Sequence, residues 1–252
     1  MSTHVTLVTG ASKGIGKAIV DILLQHQNSK VVAIARSKEL LETLQSKYGS
    51  ENFQFIAGDV TDSNISQSAI DLATTKFGQL NSIIANAGII EPVGPIQDIS
   101  IEEWKKLYDL NFFSIVQLIQ QSLSELKRTG GNIIAVSSGA ANSAYSGWYA
   151  YGSSKAALNH LIKSLAAEEK LIKAISIAPG VVNTDMQELI RNFGSKMNEE
   201  SLKKFINLHK DGKLVEPEIC GKVYANLALK GWSDDLNGEF IRFDDAKLKD
   251  YQ

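Results

Sequence analysis

Short runs of consecutive apolar residues alternate along this chain with longer stretches in which apolar positions recur every three or four. The short runs fall at residues 5–8, 31–35, 53–57, 82–85, 132–136 and 174–178, with a last one near 239–242. Most are apolar throughout rather than at every second position. A strand buried on both faces needs that pattern, so a parallel sheet is predicted. The helical stretches are 15–27, 38–48, 64–77, 102–127, 150–170 and 217–229. Strand–helix alternation at such intervals reads as repeated right-handed βαβ units. The predicted architecture is α/β: one doubly wound domain over 1–252, a seven-stranded parallel sheet with helices on both faces. No linker, repeat or break in composition marks a second domain. One interval departs from the rhythm. Residues 185–216 are too long for a simple crossover and hold two weakly periodic pieces, around 186–193 and 199–209. A long insertion after a strand's carboxyl end is where a lid or substrate loop sits.

Composition narrows the function. At 252 residues and 44% hydrophobic, the chain can bury a large core. Its 26 Lys+Arg and 28 Asp+Glu leave a formal charge of −2, which argues against nucleic acid or an anionic membrane as partner. No apolar run is long enough for a membrane span. A strand-like run begins at Val5 instead of a leader segment, so a soluble, cytoplasmic protein is expected. Cys220 is the only cysteine, which excludes an internal disulfide and a cysteine-based zinc site. His4, His26, His160 and His209 show no metal-ligand spacing, and no metal is expected.

The first strand leads into Thr9-Gly10-Ala11-Ser12-Lys13-Gly14-Ile15-Gly16, and a helix follows. Glycines at 10, 14 and 16 permit a sharp turn and close approach of a ligand to the backbone. The helix start then offers unpaired N–H groups to a pyrophosphate. The end of the second strand reads Ala33-Ile34-Ala35-Arg36-Ser37. A dinucleotide site that takes NAD commonly places an acid there for the ribose 2′-hydroxyl. Here Arg36 stands in that region with Lys13 nearby, and two cations without an acid suit a 2′-phosphate. NADPH is therefore the expected cofactor.

Further polar groups cluster after later strands: Asn86-Ala87-Gly88, then Ser137-Ser138, then Tyr151-Gly152-Ser153-Ser154-Lys155. Tyr151 and Lys155 are four apart and share a helix face. A tyrosine ordinarily titrates near ~10, too high for proton transfer at neutral pH. An adjacent ammonium favours the phenolate and lowers that value. Tyr145 and Tyr149 lack a lysine at the same offset. A serine hydroxyl beside the pair would hydrogen-bond a carbonyl oxygen, and the chemistry alone leaves Ser137 and Ser138 both open.

These motifs, in this order and spacing, resemble the single-domain branch of the short-chain dehydrogenase/reductase family, over nearly the whole chain. The resemblance rests on Thr9 to Gly16, Asp59-Val60, Asn86-Ala87-Gly88, Leu110-Asn111-Phe112, Ser138, Tyr151, Lys155 and Pro179-Gly180. It implies a Rossmann fold and a role for each. Tyr151 donates the proton, Ser138 polarises the carbonyl, and Lys155 holds the nicotinamide ribose and tunes Tyr151. Asn111, within a long helix, holds a water that links Lys155 to solvent. Gly10, Ser12, Lys13, Gly14, Ile15 and Gly16 form the diphosphate turn, and Arg36 and Ser37 take the 2′-phosphate. Asp59 and Val60 contact the adenine, and Asn86, Ala87 and Gly88 lie along the cofactor. Pro179, Gly180, Val182 and Thr184 hold the nicotinamide. A narrower resemblance is to fungal benzil reductases, themselves similar to sepiapterin reductases. It rests on Glu91-Pro92-Val93, Asn111 to Val116, Ser154 to His160 and Leu236-Asn237-Gly238, and implies NADPH-dependent reduction of an aromatic 1,2-diketone.

Tyr145 and Trp148 among small residues, with Met186 and Leu189 from the insertion, predict a pocket with apolar walls for a small hydrophobic carbonyl compound. The insertion's Phe193, Met197 and Phe205 serve either that pocket or simple packing of the insertion on the core. Lys155 is the only cation the sequence places near the site, which argues against a carboxylate substrate. The apolar stripes on 102–127 and 150–170 predict a homodimer, or a tetramer built on it, since relatives associate through these helices. Two other readings compete. A nucleotide-sensing regulator would typically lack an intact Ser, Tyr and Lys set. A sugar-nucleotide epimerase would carry a C-terminal substrate domain for which this chain has no room.

Overall fold

The computed structural model describes residues 3–252. Its strands are β1 (His4–Thr9), β2 (Ser29–Ala35), β3 (Phe53–Ala57), β4 (Ser82–Ala85), β5 (Asn132–Val136), β6 (Lys173–Ala178) and β7 (Phe240–Arg242). They form one sheet in the order β3-β2-β1-β4-β5-β6-β7, and every pair is parallel. The chain winds outward from β1 to β3, then returns past β1 to β4 and winds the other way. The crevice between the ends of β1 and β4 is thus the topological switch point, where such sheets place ligands.

The unbroken apolar strands are explained by two cores. Val5 and Leu7 of β1 and Val32 and Ile34 of β2 face one layer; Val8, Val31 and Ala33 face the other. The first layer is covered by α3 (Ser63–Phe77), α5 (Ser114–Thr129) and α6 (Tyr149–Glu168). The second is covered by α1 (Gly14–Leu23), α2 (Lys38–Tyr48) and α9 (Pro217–Lys230). Alternate residues of a strand point to opposite faces, so both sets must be apolar.

The expected helix over 102–127 is not one helix. It begins as α4 (Ile101–Tyr108), closed by a capping box in which Ser100 and Glu103 satisfy each other's backbone N–H groups. It then widens into a π turn over Asp109–Phe113 before continuing as α5, which stops at Gly130 in the left-handed conformation. The reason lies in Asn111, which is wholly buried. Its Nδ2 donates to the Ile89 carbonyl (2.8 Å) and its Oδ1 accepts from the Ile89 N–H (2.9 Å). A π turn adds a residue to the helical register, as commonly happens at functional sites. The insertion contains α7 (Asp185–Arg191) and α8 (Glu199–Lys210). Its neck is pinned where Val182 bridges Val215, with the Asn183 N–H donating to the Val215 carbonyl (2.8 Å) and the Val215 N–H to the Val181 carbonyl (2.9 Å). A third apolar cluster, with Ile90, Leu107, Trp148, Phe193, Met197 and Phe205, fastens the insertion to the rest. Among the described residues no helix is long and apolar enough to cross a membrane.

The end of β6 is fixed from behind. The Tyr224 hydroxyl on α9 donates to the Ile177 carbonyl (2.9 Å), which also accepts from the Ser137 N–H (2.8 Å). Tyr224→Phe is expected to cost about 1 kcal/mol of unfolding free energy, since Ile177 keeps its ladder bond. Urea denaturation measures this; a loss of several kcal/mol would mean that the hydroxyl anchors far more than one strand end.

Candidate active site

The glycine turn is built by contact, not by flexibility alone. A Cβ on Gly16 would lie 2.2 Å from the Gly10 carbonyl oxygen, and one on Gly10 would lie 2.8 Å from Asn86 Nδ2. That amide donates to the carbonyls of Thr9 (2.9 Å) and Gly10 (3.1 Å), so the loops after β1 and β4 are joined across the switch point. Neighbouring Ala87 follows the same seam, its N–H donating to Thr9 Oγ1 (3.0 Å). At the start of α1, Lys13 provides no side-chain cap and the first turn carries no acid. The helix therefore keeps its orphan N–H groups and its positive end for an anion. These features fit the diphosphate of a dinucleotide. Ser12, Lys13 and Gly14 border one recess there with Asp185.

The adenosine end differs in detail from expectation. Lys13 turns to Asp185, Nζ to Oδ2 3.2 Å, both exposed. Arg36 has no carboxylate partner among the described residues. Ser37 precedes α2 without capping it by its side chain. Arg36 and Ser37 are thus the uncommitted pair, while Lys13 is shared. Asp59 and Arg36 border a common groove. Asp59 Oδ1 already accepts from the N–H and hydroxyl of Thr61 (3.0 and 2.9 Å), whereas Asp62 caps α3. Val60 is buried under the same edge.

At the other end, α6 delivers Tyr151 and Lys155 from one face, with Lys155 Nζ 6.0 Å from the Tyr151 ring centre. Both are buried. Lys155 Nζ donates to the Val136 carbonyl at the end of β5 (2.8 Å). Burial depresses its pKa to about 8. Gly88 and Asn111 close the same corner: a Cβ on Gly88 would lie 3.4 Å from Asn111 Oδ1 and 3.6 Å from Lys155 Nζ. The expected lowering of the Tyr151 pKa by Lys155 is not what this geometry produces. Burial raises it, and only the Ser138 side chain pulls it down. The Lys155 ammonium stands 6.0 Å from the ring centre, and the desolvation of the phenol outweighs the Ser138 contact. The two serines are held differently. The Ser137 hydroxyl is bonded to Asn159 Oδ1 (2.6 Å), whereas Ser138 Oγ accepts from the Ala140 N–H (3.1 Å) and keeps its own proton to donate.

A cavity of about 360 Å³ is lined by Ser137, Ser138 and Tyr151, with Lys155, Asn111 and Gly88 outside its wall. Ile15, Ser138, Tyr151, Pro179, Gly180, Val182 and Thr184 all line it, so the glycine turn, the strand ends and the insertion meet there. Three of the expected pocket residues, Tyr145, Trp148 and Met186, line it as well. Leu189 does not: it is partly exposed on α7, and Gln187 and Ile190 take the inward positions. Phe205 lines the cavity, whereas the buried Phe193 and Met197 do not and instead pack the insertion onto the core. Trp148 and Phe205 stack with ring centres 5.3 Å apart. The charge expectation is corrected. Lys204, Lys213 and Arg242 line the cavity, brought there from α8, the insertion neck and β7. They sit on three separate segments, so their convergence is not evident along the chain. Among the described residues no cluster of three His, Cys, Asp or Glu forms a metal site.

Comparison with known proteins places the chain among short-chain oxidoreductases. The family model described as short chain dehydrogenase matches residues 4–193. An uncharacterised oxidoreductase of Saccharomyces cerevisiae is 47% identical over 98% of each chain. The crystal structure of a yeast short-chain dehydrogenase/reductase bearing the same designation superposes with a TM-score of 0.97, covering 99% of each chain at 45% identity. A benzil reductase ((S)-benzoin forming) of the same yeast is 41% identical over 97% of each chain.

Burial of Lys155 has a measurable signature. In the unfolded chain a lysine keeps its proton to about pH 10.4, whereas the folded Lys155 loses it near 8. Between those values the unfolded chain binds the extra proton, so raising the pH favours the folded state. The stability of the wild type relative to Lys155→Met should rise from pH 8 to pH 10, read by urea denaturation at each pH. A difference that does not move with pH would contradict the burial.

Proposed function

The chain belongs to the short-chain dehydrogenase/reductase family, and from that membership we propose that it is an NADPH-dependent carbonyl reductase acting on hydrophobic ketones and 1,2-diketones of the benzil type. The observation that carries the reading is a single cavity lined at once by Ile15 of the glycine turn, Thr184, Ser138 and Tyr151. When bound there, NADPH supplies the hydride. Tyr151 gives its hydroxyl proton to the carbonyl oxygen as that oxygen gains charge. Burial keeps this phenol protonated at neutral pH, which suits a donor. Ser138, whose oxygen is steadied by the Ala140 N–H, donates to the same carbonyl oxygen. Lys155 holds the cofactor ribose and supports Tyr151. Asn111 acts as a positioning residue, fixing the loop after β4 through both bonds to Ile89 and placing the water by which Lys155 exchanges protons.

Preference for NADPH is supported by Arg36 and Ser37, both without other duties, and by the absence of an acid at the end of β2. The substrate class is supported by the stacked wall of Trp148 and Phe205 and by similarity to proteins named benzil reductase. A homodimer through the helices at 101–129 and 149–168 is supported by the exposed Phe113 and Tyr149 they carry.

Tyr151→Phe should lower kcat for benzil reduction by at least about 10²-fold, the usual worth of a positioned acid, while NADPH affinity stays within twofold of wild type by fluorescence titration. Reduction at the wild-type rate would overturn the mechanism. Arg36→Asp should move cofactor preference, measured as the ratio of kcat/KM values, toward NADH. A wild type with equal preference for the two cofactors would remove the electrostatic argument.

A further inference from the structure

The cavity wall carries charge of one sign only. Lys204, Lys213 and Arg242 line it, and no Asp or Glu does. Two of these cations are neutralised nearby: Lys213 by Asp211 at 3.0 Å and Arg242 by Asp244 at 2.7 Å. Lys204 has no carboxylate within ion-pair distance among the described residues. Its Nζ instead donates to the Tyr145 hydroxyl (3.2 Å) and lies 5.1 Å from that ring's centre. A phenol is a neutral partner, so the ammonium's charge is left uncompensated. It is held at the outer end of an aromatic row: Tyr145 meets Trp148 with ring centres 4.8 Å apart, and Trp148 meets Tyr151 at 5.7 Å. The inner end of the row is Tyr151, and the outer end is a cation.

The uncommitted polar groups of this wall are donors too. Gln187 is buried; its Oε1 accepts from Arg191 Nη1 (2.6 Å), while its Nε2 has no partner among the described residues. The Trp148 Nε1–H is likewise buried without a partner among the described residues. Buried donors without acceptors are costly, and a ligand that brings acceptors relieves them.

We propose that the pocket selects aryl carbonyl substrates that carry a carboxylate, and that Lys204 is the residue that reads it. The reading rests on the carbonyl reductase assignment and adds a charge requirement to it. The aryl body lies along Tyr145, Trp148 and Phe205 with its carbonyl at Tyr151, and its carboxylate reaches the Lys204 ammonium at the rim. Lys204 is exposed, so its contribution is that of a solvent-facing ion pair, up to about 1 kcal/mol, or about fivefold in affinity.

The test compares 4-carboxybenzil with its methyl ester on the wild type, Lys204→Met and Lys204→Arg. Two readouts are taken: KM with NADPH, and dissociation constants from quenching of tryptophan fluorescence. The wild type should favour the carboxylate over the ester by about fivefold in both, and 0.5 M salt should shrink the ratio. Lys204→Met should bring the ratio to about one, and Lys204→Arg should restore it. Taking the ratio cancels any effect of the substitution that both ligands share. A wild-type ratio near one, or a ratio that survives in Lys204→Met, overturns the proposal. Failure to turn over either diketone or benzil itself would overturn the reductase assignment, while the quenching ratio still decides the charge selection.

Discussion

One buried ammonium governs the architecture of this site. Moving a lysine charge out of water is expensive unless it is paired with polar groups. Here Lys155 is sealed between α6 and the end of β5, and the Val136 carbonyl is the partner that makes this tolerable. The cost shows as a pKa drawn down to about 8. Everything close to it is arranged for that contact. Gly88 lies against Nζ, where an added Cβ would stand 3.6 Å away, and Tyr151 stands one helical turn before the lysine on the same face. Asn111 gives up regular helix geometry so that its amide can clamp the loop carrying Gly88 to Ile90.

The sheet supplies the rigidity that such a constellation needs. All its strands point the same way, so the loops after β1, β4, β5 and β6 open onto one edge. The seam of Asn86 bonds to Thr9 and Gly10 closes the switch point, and Tyr224 steadies β6 from the opposite face. Over this fixed edge sits the insertion, pinned at the Val182–Val215 bridge. It contributes Met186, Gln187, Ile190 and Phe205 to the cavity wall. The strand ends and α6 thus hold the candidate catalytic groups, and the insertion supplies part of the cavity wall.

Much of this was legible in the amino-acid sequence, for physical reasons. Strands buried on both faces leave unbroken apolar runs, which is why β1 to β6 fall where the pattern predicts them. Tyr151 and Lys155 stood out because an offset of four is a helix-face relation. The pattern places Asn111 within one long helix over 102–127, and the structure breaks that helix there with a π turn. The turn itself could not be foreseen, because the Ile89 backbone that pairs with it lies 22 residues away. Leu189 was misplaced because α7 spans only seven residues, too few for periodicity to fix which side faces inward. Lys204, Lys213 and Arg242 converge from three separate segments, and only the tertiary fold brings them together. The commitment of Ser137 to Asn159 was equally invisible.

The most direct test of this account is a titration of the lysine side chains by nuclear magnetic resonance, with the ε-carbons labelled. One resonance should titrate near pH 8 and disappear in Lys155→Met, while exposed lysines titrate at about 10.4. If every lysine of the folded protein holds its proton to that ordinary value, the ammonium at the centre of the site is not buried as described. The account of how Tyr151 and its neighbours are held together would then be wrong.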